Sequence, residues 1–542
     1  MYRAGADWWR SAWLAPLALG LLLGCGRTSE RAGAAAATDV GSNTDQALVP
    51  PELQKPQVSR YFVVDDDAAG PELVRFDDPE APQVVGLGRA GGSYSTWLTR
   101  WSPSGRRLAY ALTAKQLGIT PNWLMLADLA SDFAPRTVDH PALANFAHGM
   151  WWVGDRAVMV VTARSSDVPD ARGYYDARYL WVDADSGAVT DLGELPASVA
   201  NPESARVVAT QTGALYLDRD CNLTYLEQPF HPQTVLNDCS AQAEWSGDGS
   251  FALVTTAAGR ALYELKNGQL QRSEAISTAL AAWHAAHFAW APAAPRFVLF
   301  EAGDAVENSI SALAVGDARQ AQLTTFASLP QANHAGFVSD ELLVADDWSG
   351  DKYVLNVSTL ESGAAPELLP LGLGEQPGGA LTATSDSSRL YYPRDPFLEL
   401  QLAAGRPGER EVIFDEPQPV AQVLFRLLAR DDAGLLTMVE PERGRDASAS
   451  AVHHQYLLRL GQQHGVIPLG SFTRAVGTDA PGLDTFQSAP QFGGIFYVGP
   501  SAHGYYVDWL GFDDISRKVR LLEFQSNLVG VDFPATINDN HP

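Results

Sequence analysis

Three histidines, His148, His287 and His334, each lie a few residues before an aromatic residue that opens a tight turn. Imidazole nitrogens bind transition metals. If the three histidines sit on the innermost strands of a ring, they lie around one mouth of its central channel, where a metal would bind. The alternative is that a water-filled channel tolerates them as ordinary polar side chains. No cofactor is otherwise expected, and a calcium ion at an acidic turn such as 65–67 lacks a complete ligand pattern.

Catalytic motifs of the hydrolases are missing or incomplete in this chain. No G-x-S-x-G pentapeptide occurs, and that motif is what a serine hydrolase needs for its nucleophile. The segment Ser246–Ser250 begins like the S-x-D-x-G turn of sialidase propellers, but Ser250 stands where glycine is needed. We therefore expect a binding protein, and we keep a channel-centred metal-binding or enzymatic function as the alternative.

The chain contains three cysteines, and the first follows an apolar segment at the N-terminus. Arg3 and Arg10 precede the apolar run 12–23, which is too short to span a membrane permanently. The junction Leu22-Leu23-Gly24-Cys25 resembles the lipobox of bacterial lipoproteins. That resemblance implies a signal peptide at 1–24, cleavage before Cys25 and acylation of that residue, with a plain secretory signal as the alternative. Gly26 follows where an inner-membrane retention signal would have aspartate, so an outer-membrane site in the bacterial envelope is favoured.

The other two cysteines, Cys221 and Cys239, bracket the strand-like segment 223–226. Export places them in an oxidising compartment, where two cysteines at this separation favour a disulfide between neighbouring strands. Two reduced, buried thiols are the alternative. A zinc site is not expected, because His231 is the only good ligand nearby.

Composition bounds the remaining possibilities. The net charge of −26 excludes nucleic acid and anionic lipid surfaces as partners, since both need a basic face. Residues 25–57 carry an alanine run, Pro50-Pro51 and no apolar period, and they are predicted to be a disordered tether behind the acylated cysteine. We expect the folded body to span 58–535 and a short tail to span 536–542.

The body is dominated by a degenerate repeat in which an aromatic strand end, a polar turn and a second apolar strand recur. The clearest copy is the run Trp101–Tyr110, and Trp245 and Trp290 open two further copies. Second hairpins follow, with Asp-Ser-Gly at 185–187 and Asn-Gly at 267–268, where these residues tolerate the positive φ of tight turns. Two hairpins make one four-stranded blade, so the sequence predicts an all-β fold, a β-propeller.

The number of blades is harder to read than their existence. First-hairpin candidates lie near residues 101, 152, 207, 245, 290, 337, 384, 427 and 492. The segment 60–76 has later strands but no first strand, so the tail around 528–533 is predicted to complete it. We expect one closed ring of about eight blades, with seven to ten blades or two smaller propellers as alternatives.

The run Trp-Ser-Pro-Ser-Gly-Arg-Arg-Leu-Ala-Tyr at 101–110 resembles the WD40-like propeller repeat of the periplasmic protein TolB and its relatives. The resemblance implies that Trp101, Trp245 and Trp290 pack between blades and that the following turns reverse the chain. The chain lacks TolB's preceding globular domain, so the Tol-system role is not carried over. We expect a monomeric, lipid-anchored platform that binds an envelope protein, peptide or glycan. Tyr94, Trp97, Tyr174 and Tyr175 are the candidate aromatic contacts.

Overall fold

The computed structural model places ten four-stranded antiparallel sheets along the chain. Residues Ser59–Pro542 form one compact unit. The residues that the structure describes are 61–532, apart from gaps at 67–69, 79–80, 89–93, 115–121, 145, 166–173, 197–198, 200–204, 206, 228–230, 284–285, 303–309, 327–331, 348–351, 358–368, 371–380, 385, 393–395, 404–405, 416–419, 428–432, 441–449, 461–464, 476–485, 490–493, 502–503, 512–517 and 525–527. The predicted signal peptide at 1–24, the acylated Cys25, the tether and the tail at 536–542 lie outside the described residues.

Each sheet is one blade, numbered here from 1 to 10 around the ring. The strands of the first five blades are, for blade 1, β1 (Tyr61–Asp66), β2 (Gly70–Arg75), β3 (Gln83–Gly86) and β40 (Leu528–Asp532); for blade 2, β4 (Tyr94–Trp101), β5 (Arg107–Ala114), β6 (Asn122–Asp128) and β7 (Arg136–Val138); for blade 3, β8 (Phe146–Val153), β9 (Ala157–Ser165), β10 (Tyr174–Asp183) and β11 (Val189–Glu194); for blade 4, β12 (Val207–Ala209), β13 (Ala214–Leu217), β14 (Asn222–Leu226) and β15 (Gln233–Asn237); and for blade 5, β16 (Gln242–Trp245), β17 (Phe251–Thr256), β18 (Gly259–Lys266) and β19 (Gln269–Arg272).

The remaining blades repeat the same order. Their strands are, for blade 6, β20 (His287–Trp290), β21 (Arg296–Ala302), β22 (Ile310–Asp317) and β23 (Gln322–Phe326); for blade 7, β24 (Ala332–Phe337), β25 (Leu342–Asp347), β26 (Lys352–Asn356) and β27 (Leu369–Pro370); for blade 8, β28 (Thr382–Ala383), β29 (Arg389–Tyr392), β30 (Phe397–Ala403) and β31 (Arg406–Phe414); for blade 9, β32 (Gln422–Leu427), β33 (Ala433–Val439), β34 (Ser450–Arg459) and β35 (Gly465–Ala475); and for blade 10, β36 (Phe486–Ala489), β37 (Gly494–Ser501), β38 (Gly504–Gly511) and β39 (Lys518–Phe524).

The blades form one closed ring. Buried apolar clusters join each blade to the next, from blades 1 and 2 through to blades 9 and 10. Blade 10 then packs on blade 1, where Phe496 and Trp509 contact Phe76. The predicted single propeller is confirmed. It has ten blades, the upper end of the range kept beside the expected eight, and the alternative of two smaller propellers is excluded because the clusters run unbroken around the ring.

Ring closure uses both ends of the folded chain, as predicted. Strand β40 pairs antiparallel with β1, with Val64 opposite Val531. Blade 1 therefore takes its first strand, β40, from the C-terminal part of the chain and its other three strands from the N-terminal part. Pairing strands from both ends of the folded chain within one blade holds the ring closed.

The first strand of each blade is the innermost one. First strands of successive blades lie side by side, as β4, β8, β12 and β16 do. The two middle strands of a blade supply most of the core; β17, for example, buries Phe251, Ala252, Leu253 and Val254. First strands keep partly exposed positions, such as Gln242 and Glu244 in β16. The central channel is therefore lined by strands of mixed polarity.

The tight turns have the residues that their geometry requires. Gly187 has φ 74° in the turn between β10 and β11, and Asn267 and Gly268 have φ 51° and 73° between β18 and β19. These are the two hairpins predicted from Asp-Ser-Gly and Asn-Gly. Within the described residues the single α-helix is α1 (Glu274–Leu280), which buries Ile276 and Leu280 beside the junction of blades 5 and 6. The described part of the chain contains no helix with the length and apolarity needed to cross a membrane.

Candidate binding face

The two ends of the ring are built differently. At one end, called here the turn face, strands one and two and strands three and four of each blade are joined. At the other end, called the loop face, strands two and three are joined and each blade leads into the next. On the turn face, connections between strands one and two are short, for example 154–156 and 246–250, and those between strands three and four range from 267–268 to 357–368. Loop-face connections range from 257–258 to 273–286.

An arginine at the start of β5 joins blades 2 and 3 across the turn face. The Nε atom of Arg107 lies 2.6 Å from Asp128 Oδ2 in its own blade. Its Nη1 donates to the Asp155 carbonyl (2.8 Å) and its Nη2 to Asp185 Oδ1 (2.5 Å), both in blade 3. Asp155 in turn accepts from the backbone N–H of Ser104 (3.1 Å). The link is reciprocal, so each blade orients the turn of its neighbour.

The same arrangement recurs between blades 6 and 7. Arg296 Nε lies 3.6 Å from Asp317 Oδ2, and its Nη1 donates to the Asp340 carbonyl (3.4 Å). The Asp340 carboxylate accepts from the backbone N–H groups of Ala293 (2.7 Å) and Ala294 (2.9 Å). Repetition in two distant pairs of blades indicates a structural role, because charge-assisted bonds of this kind fix the angle between sheets.

The turn face also contains aspartates that accept hydrogen bonds from residues of their own turn. Asp386 accepts from Thr384 Oγ1 (2.6 Å), Ser388 Oγ (2.7 Å) and the Ser388 N–H (3.0 Å), and these bonds lower its pKa to about 2. Asp248 makes the same bonds with Ser246 and Ser250. The segment Ser246–Ser250, which begins like a sialidase turn, is thus a structural turn. Its aspartate, Asp248, accepts hydrogen bonds from the turn itself.

The loop face carries the aromatic residues picked out from the sequence. Tyr94 begins β4 in blade 2, and Trp97 lies on the same strand. Tyr174 and Tyr175 begin β10 in blade 3. Both strands start at the loop face, so these four residues lie in the loop-face halves of strands in two neighbouring blades. Sequence reasoning treated them as separate candidates, and the structure places two on the first strand of blade 2 and two on the third strand of blade 3.

Equivalent β-bulges distort the innermost strands of these two blades. Thr96 is paired with Leu112 and Leu98 with Ala111, so Trp97 has no opposite residue on β5. His148 is bypassed in the same way between Ala147 and Gly149 on β8. Trp97 and His148 each lie four residues before a tryptophan, Trp101 at the end of β4 and Trp152 one residue before the end of β8. Bulges re-aim side chains and are frequent at functional sites.

The backbone around these bulges is held firmly. Asp65 of blade 1, which is buried, accepts from the backbone N–H (2.6 Å) and the hydroxyl (2.7 Å) of Thr96. On the other side of Trp97, the indole N–H of Trp152 donates to the Arg100 carbonyl (2.9 Å). The two contacts tie β4 to both neighbouring blades. Neither hydrogen bond was predicted from the sequence. The only sequence signal for the bulges is that Trp97 and His148 each lie four residues before a tryptophan.

The three histidines do lie on first strands, His148 on β8, His287 on β20 and His334 on β24. Blades 6 and 7 are neighbours, but blades 4 and 5 separate blade 3 from blade 6. His287 is exposed and stacks on Phe300, with ring centroids 4.8 Å apart. Among the described residues no group of three His, Cys, Asp or Glu side chains is placed to hold a metal. A metal at these histidines stays a prediction.

Cys221 and Cys239 are joined by a disulfide, with their Cα atoms 4.6 Å apart. Cys221 precedes β14 and Cys239 follows β15, and Asn222 and Asn237 are opposite each other in that pair. The bond therefore closes the loop-face end of the two outer strands of blade 4.

The repeat tryptophans lie at boundaries between blades. Trp101 packs with Tyr61 of blade 1, at 5.3 Å between ring centroids, and Trp245 packs with Tyr225 of blade 4, at 6.1 Å. Trp290 lies beside the cluster shared by blades 5 and 6. Each of the three indole side chains thus covers the junction between its own blade and the preceding one.

His453 and His454 lie within β34, opposite Val439 and Met438. His454 Nε2 is 2.9 Å from Glu440 Oε1. The long strand continues beyond β33, which the local residue types do not reveal.

The fold therefore defines a ten-bladed β-propeller. No protein-family model matches the chain, and no curated protein matches it. Solved structures with a similar fold include a eukaryotic initiation factor (TM-score 0.43, 10% identity, 88% of this chain and 98% of the other). They also include the dihydro-heme d1 dehydrogenase NirN (0.33, 13%, 80% and 78%) and the C-terminal WD40 domain of Sif2 (0.28, 10%, 62% and 94%). These similarities concern the fold alone.

Proposed function

We propose that this protein is an exported, lipid-anchored propeller whose loop face is a binding platform in the bacterial envelope. The observation that carries the proposal is the difference between the two faces. Turn-face residues such as Arg107 and Asp155 bond to one another across the boundary between two blades. The loop face has connections of very different length on a rigid support, which is the usual arrangement of a binding surface.

Export is supported by two independent features. Leu22–Cys25 resembles a lipobox, and the Cys221–Cys239 disulfide is the kind of bond that persists in oxidising compartments. Acyl chains on Cys25 would hold the propeller at a membrane, since each buried CH₂ contributes about 0.8 kcal/mol.

The anchor is tested by growing cells with a labelled fatty acid. We expect label in the wild-type chain and in the membrane fraction, and neither in the Cys25→Ser variant. Label that persists in Cys25→Ser would contradict the anchor.

The platform is tested with a photo-crosslinking residue introduced in cells at one position at a time. Tyr175 and Tyr505 report on the loop face, and Ser104 and Ser131 are matched positions on the turn face. We expect discrete adducts from the loop-face positions only. Adducts of equal yield from both faces, or none from the loop face, would overturn the assignment of the binding face.

A further inference from the structure

We propose that the Cys221–Cys239 disulfide is a thiol-exchange site, and that its reduction by a dithiol releases the loop-face connections around blade 4. The exchange site, as it is called here, comprises the disulfide and the two connections that it joins, 218–221 and 238–241. Such a site goes beyond the proposed platform function, because it changes the state of the loop face, and it can be tested without a bound partner.

The disulfide lies where two loop-face connections of blade 4 meet. Residues 218–221 join β13 to β14, and residues 238–241 lead from β15 into blade 5. The Asp238 N–H donates to the Cys221 carbonyl (2.9 Å), so a main-chain bond and a covalent bond join the connections at one point. Cys221 is half-buried and Cys239 is exposed. A thiol in solution therefore approaches the bond from the Cys239 side.

The first connection is bonded to blade 3. Arg219 Nη1 lies 3.2 Å from Glu194 Oε2, at the end of the outermost strand of that blade. The Asp218 carboxylate accepts from the backbone N–H groups of Asp220 and Asn222 (both 2.9 Å), which fixes the backbone on both sides of Arg219. The Arg219 side chain is 68% exposed, and an exposed ion pair is weak by itself. The link to blade 3 thus depends on the shape in which the connection is held.

The second connection is bonded to blade 5. Ser240 Oγ accepts from the Ala257 N–H (3.0 Å) in the two-residue turn between β17 and β18. The same hydroxyl donates to Asp238 Oδ1 (2.6 Å), which also accepts from the Ser240 N–H (2.8 Å). The disulfide therefore joins two sets of contacts into one line that runs from Glu194 in blade 3 to Ala257 in blade 5.

Two apolar cores pack blade 4 independently of this bond. One core joins it to blade 3 around Tyr216 and Leu226, and the other joins it to blade 5 around Leu215 and Tyr225. Strands β14 and β15 also have their own backbone ladder. Small exported domains need disulfides because they lack such cores. An exposed disulfide beside sufficient cores has the character of the exchangeable disulfides rather than of the purely structural ones.

The backbone of Cys221 favours a change of shape when the bond breaks. Its φ is 64°, in the left-handed region that residues other than glycine rarely adopt. Cys221 ends a three-residue hairpin connection, at the position that glycine usually occupies. Strain of this kind persists only where the surroundings hold it. Reduction removes one of those restraints, so we expect residues 218–221 to rearrange and the Arg219–Glu194 pair to separate.

The exchange takes place in two steps with a dithiol as the reductant, such as an oxidoreductase with a Cys-x-x-Cys pair. In the first step a thiolate of the dithiol attacks Cys239 Sγ, a mixed disulfide forms, and Cys221 leaves as a thiolate and takes up a proton. In the second step the other thiolate of the dithiol attacks its partner sulfur, closes the dithiol's own disulfide and releases Cys239, which also takes up a proton. Two electrons pass to the protein, and the two protons gained by the cysteines balance those lost by the dithiol.

The exchange is tested on the full chain, folded in detergent, with dithiothreitol and with a thioredoxin whose resolving cysteine is replaced by serine. We expect dithiothreitol to produce free thiols at Cys221 and Cys239, and the thioredoxin variant to form a mixed disulfide at Cys239. Peptide mapping by mass spectrometry locates both products. A disulfide that dithiothreitol reduces only after denaturant is added would overturn the proposal.

The release of the loop face is tested by amide hydrogen exchange, measured on overlapping peptides before and after reduction. We expect exchange at Asn222, Asp238 and Ala257 to rise at least about tenfold, because each of these amides donates to a group in the held connections. Gly154 is the matched control, since its N–H donates to the Thr210 carbonyl (3.0 Å) between blades 3 and 4 on the turn face. Its exchange should change less than about twofold.

The Cys221→Ser/Cys239→Ser double variant separates loss of the disulfide from other effects of the reductant. It should show the raised exchange without reductant and no further response to it. Equal exchange at the loop-face amides before and after complete reduction would overturn the proposal. A rise of equal size at Gly154 would also overturn it, because the bond would then hold the whole ring and not the loop face. Absence of loop-face crosslinks together with the expected exchange response would remove the platform and leave the exchange site standing.

Discussion

The indole N–H of Trp152 donates to the backbone carbonyl of Arg100, 2.9 Å away in the preceding blade. Trp245 makes the equivalent bond to the Val208 carbonyl (3.2 Å). A first strand has no partner on its channel side, so its carbonyl groups need another donor. The repeat tryptophan supplies that donor across the gap between blades and fills the gap with its ring.

Trp152→Phe should lower the free energy of unfolding by about 1–3 kcal/mol more than Trp101→Phe does, because both variants lose part of the indole ring but only the first also leaves a part-buried carbonyl without its donor. Trp101→Phe is the matched control, because the Trp101 Nε1 atom is buried and has no hydrogen-bond partner among the described residues. Urea denaturation of both variants measures the difference, and equal losses would show that the hydrogen bond contributes nothing.

Arg107→Lys should destabilise the ring by about 1–2 kcal/mol, because lysine keeps the charge but not the fork that reaches Asp128, Asp155 and Asp185 together. Arg106→Lys, at the exposed neighbouring position, should stay within about 0.5 kcal/mol of the wild type. Thermal unfolding at low and high salt compares them. A loss of the same size at both positions would contradict the blade link.

Replacing both Cys221 and Cys239 by serine should lower the stability by about 3 kcal/mol, the value expected for a closed loop of this size. A reductant should lower the melting temperature of the wild type to that of the double variant and leave the double variant unchanged. A melting temperature of the wild type that does not respond to reductant, with reduction verified by thiol titration, would show that the bond adds no stability.

Acid sensitivity should include a contribution from Asp386. Its pKa is lowered to about 2, chiefly by the hydroxyl of Thr384, so its ionised form stabilises the fold above the ordinary pKa of 3.8. That stabilisation is lost as the pH falls through about 2. Carboxyl NMR titration should give a midpoint near 2 for the wild type and a higher one for Thr384→Val. An unchanged midpoint in Thr384→Val would remove the hydroxyl as the cause.

Much of the architecture was readable in the sequence, and the reason is local. Aromatic strand ends such as Trp101 and turn pairs such as Asn267-Gly268 depend on backbone preferences within a few residues, so they mark every hairpin wherever the blade lies. All nine first hairpins proposed from the sequence fall at strand junctions of the structure, and β40 completes the tenth blade. The expected number of eight blades was too low, because the sequence shows the repeat units but does not show whether all of them close in one ring.

The candidate site, by contrast, was decided by tertiary structure. Sequence supplied Tyr94, Trp97, Tyr174, Tyr175 and His148 as residue types, but they belong to two blades and three strands. Their common location follows from the direction in which each strand runs through the ring. The bulges at Trp97 and His148 depend on how many residues the partner strand offers, and the Asp65–Thr96 bond depends on which blade becomes a neighbour. Local preferences thus determined the blades, and packing between distant segments decided what those blades bring together.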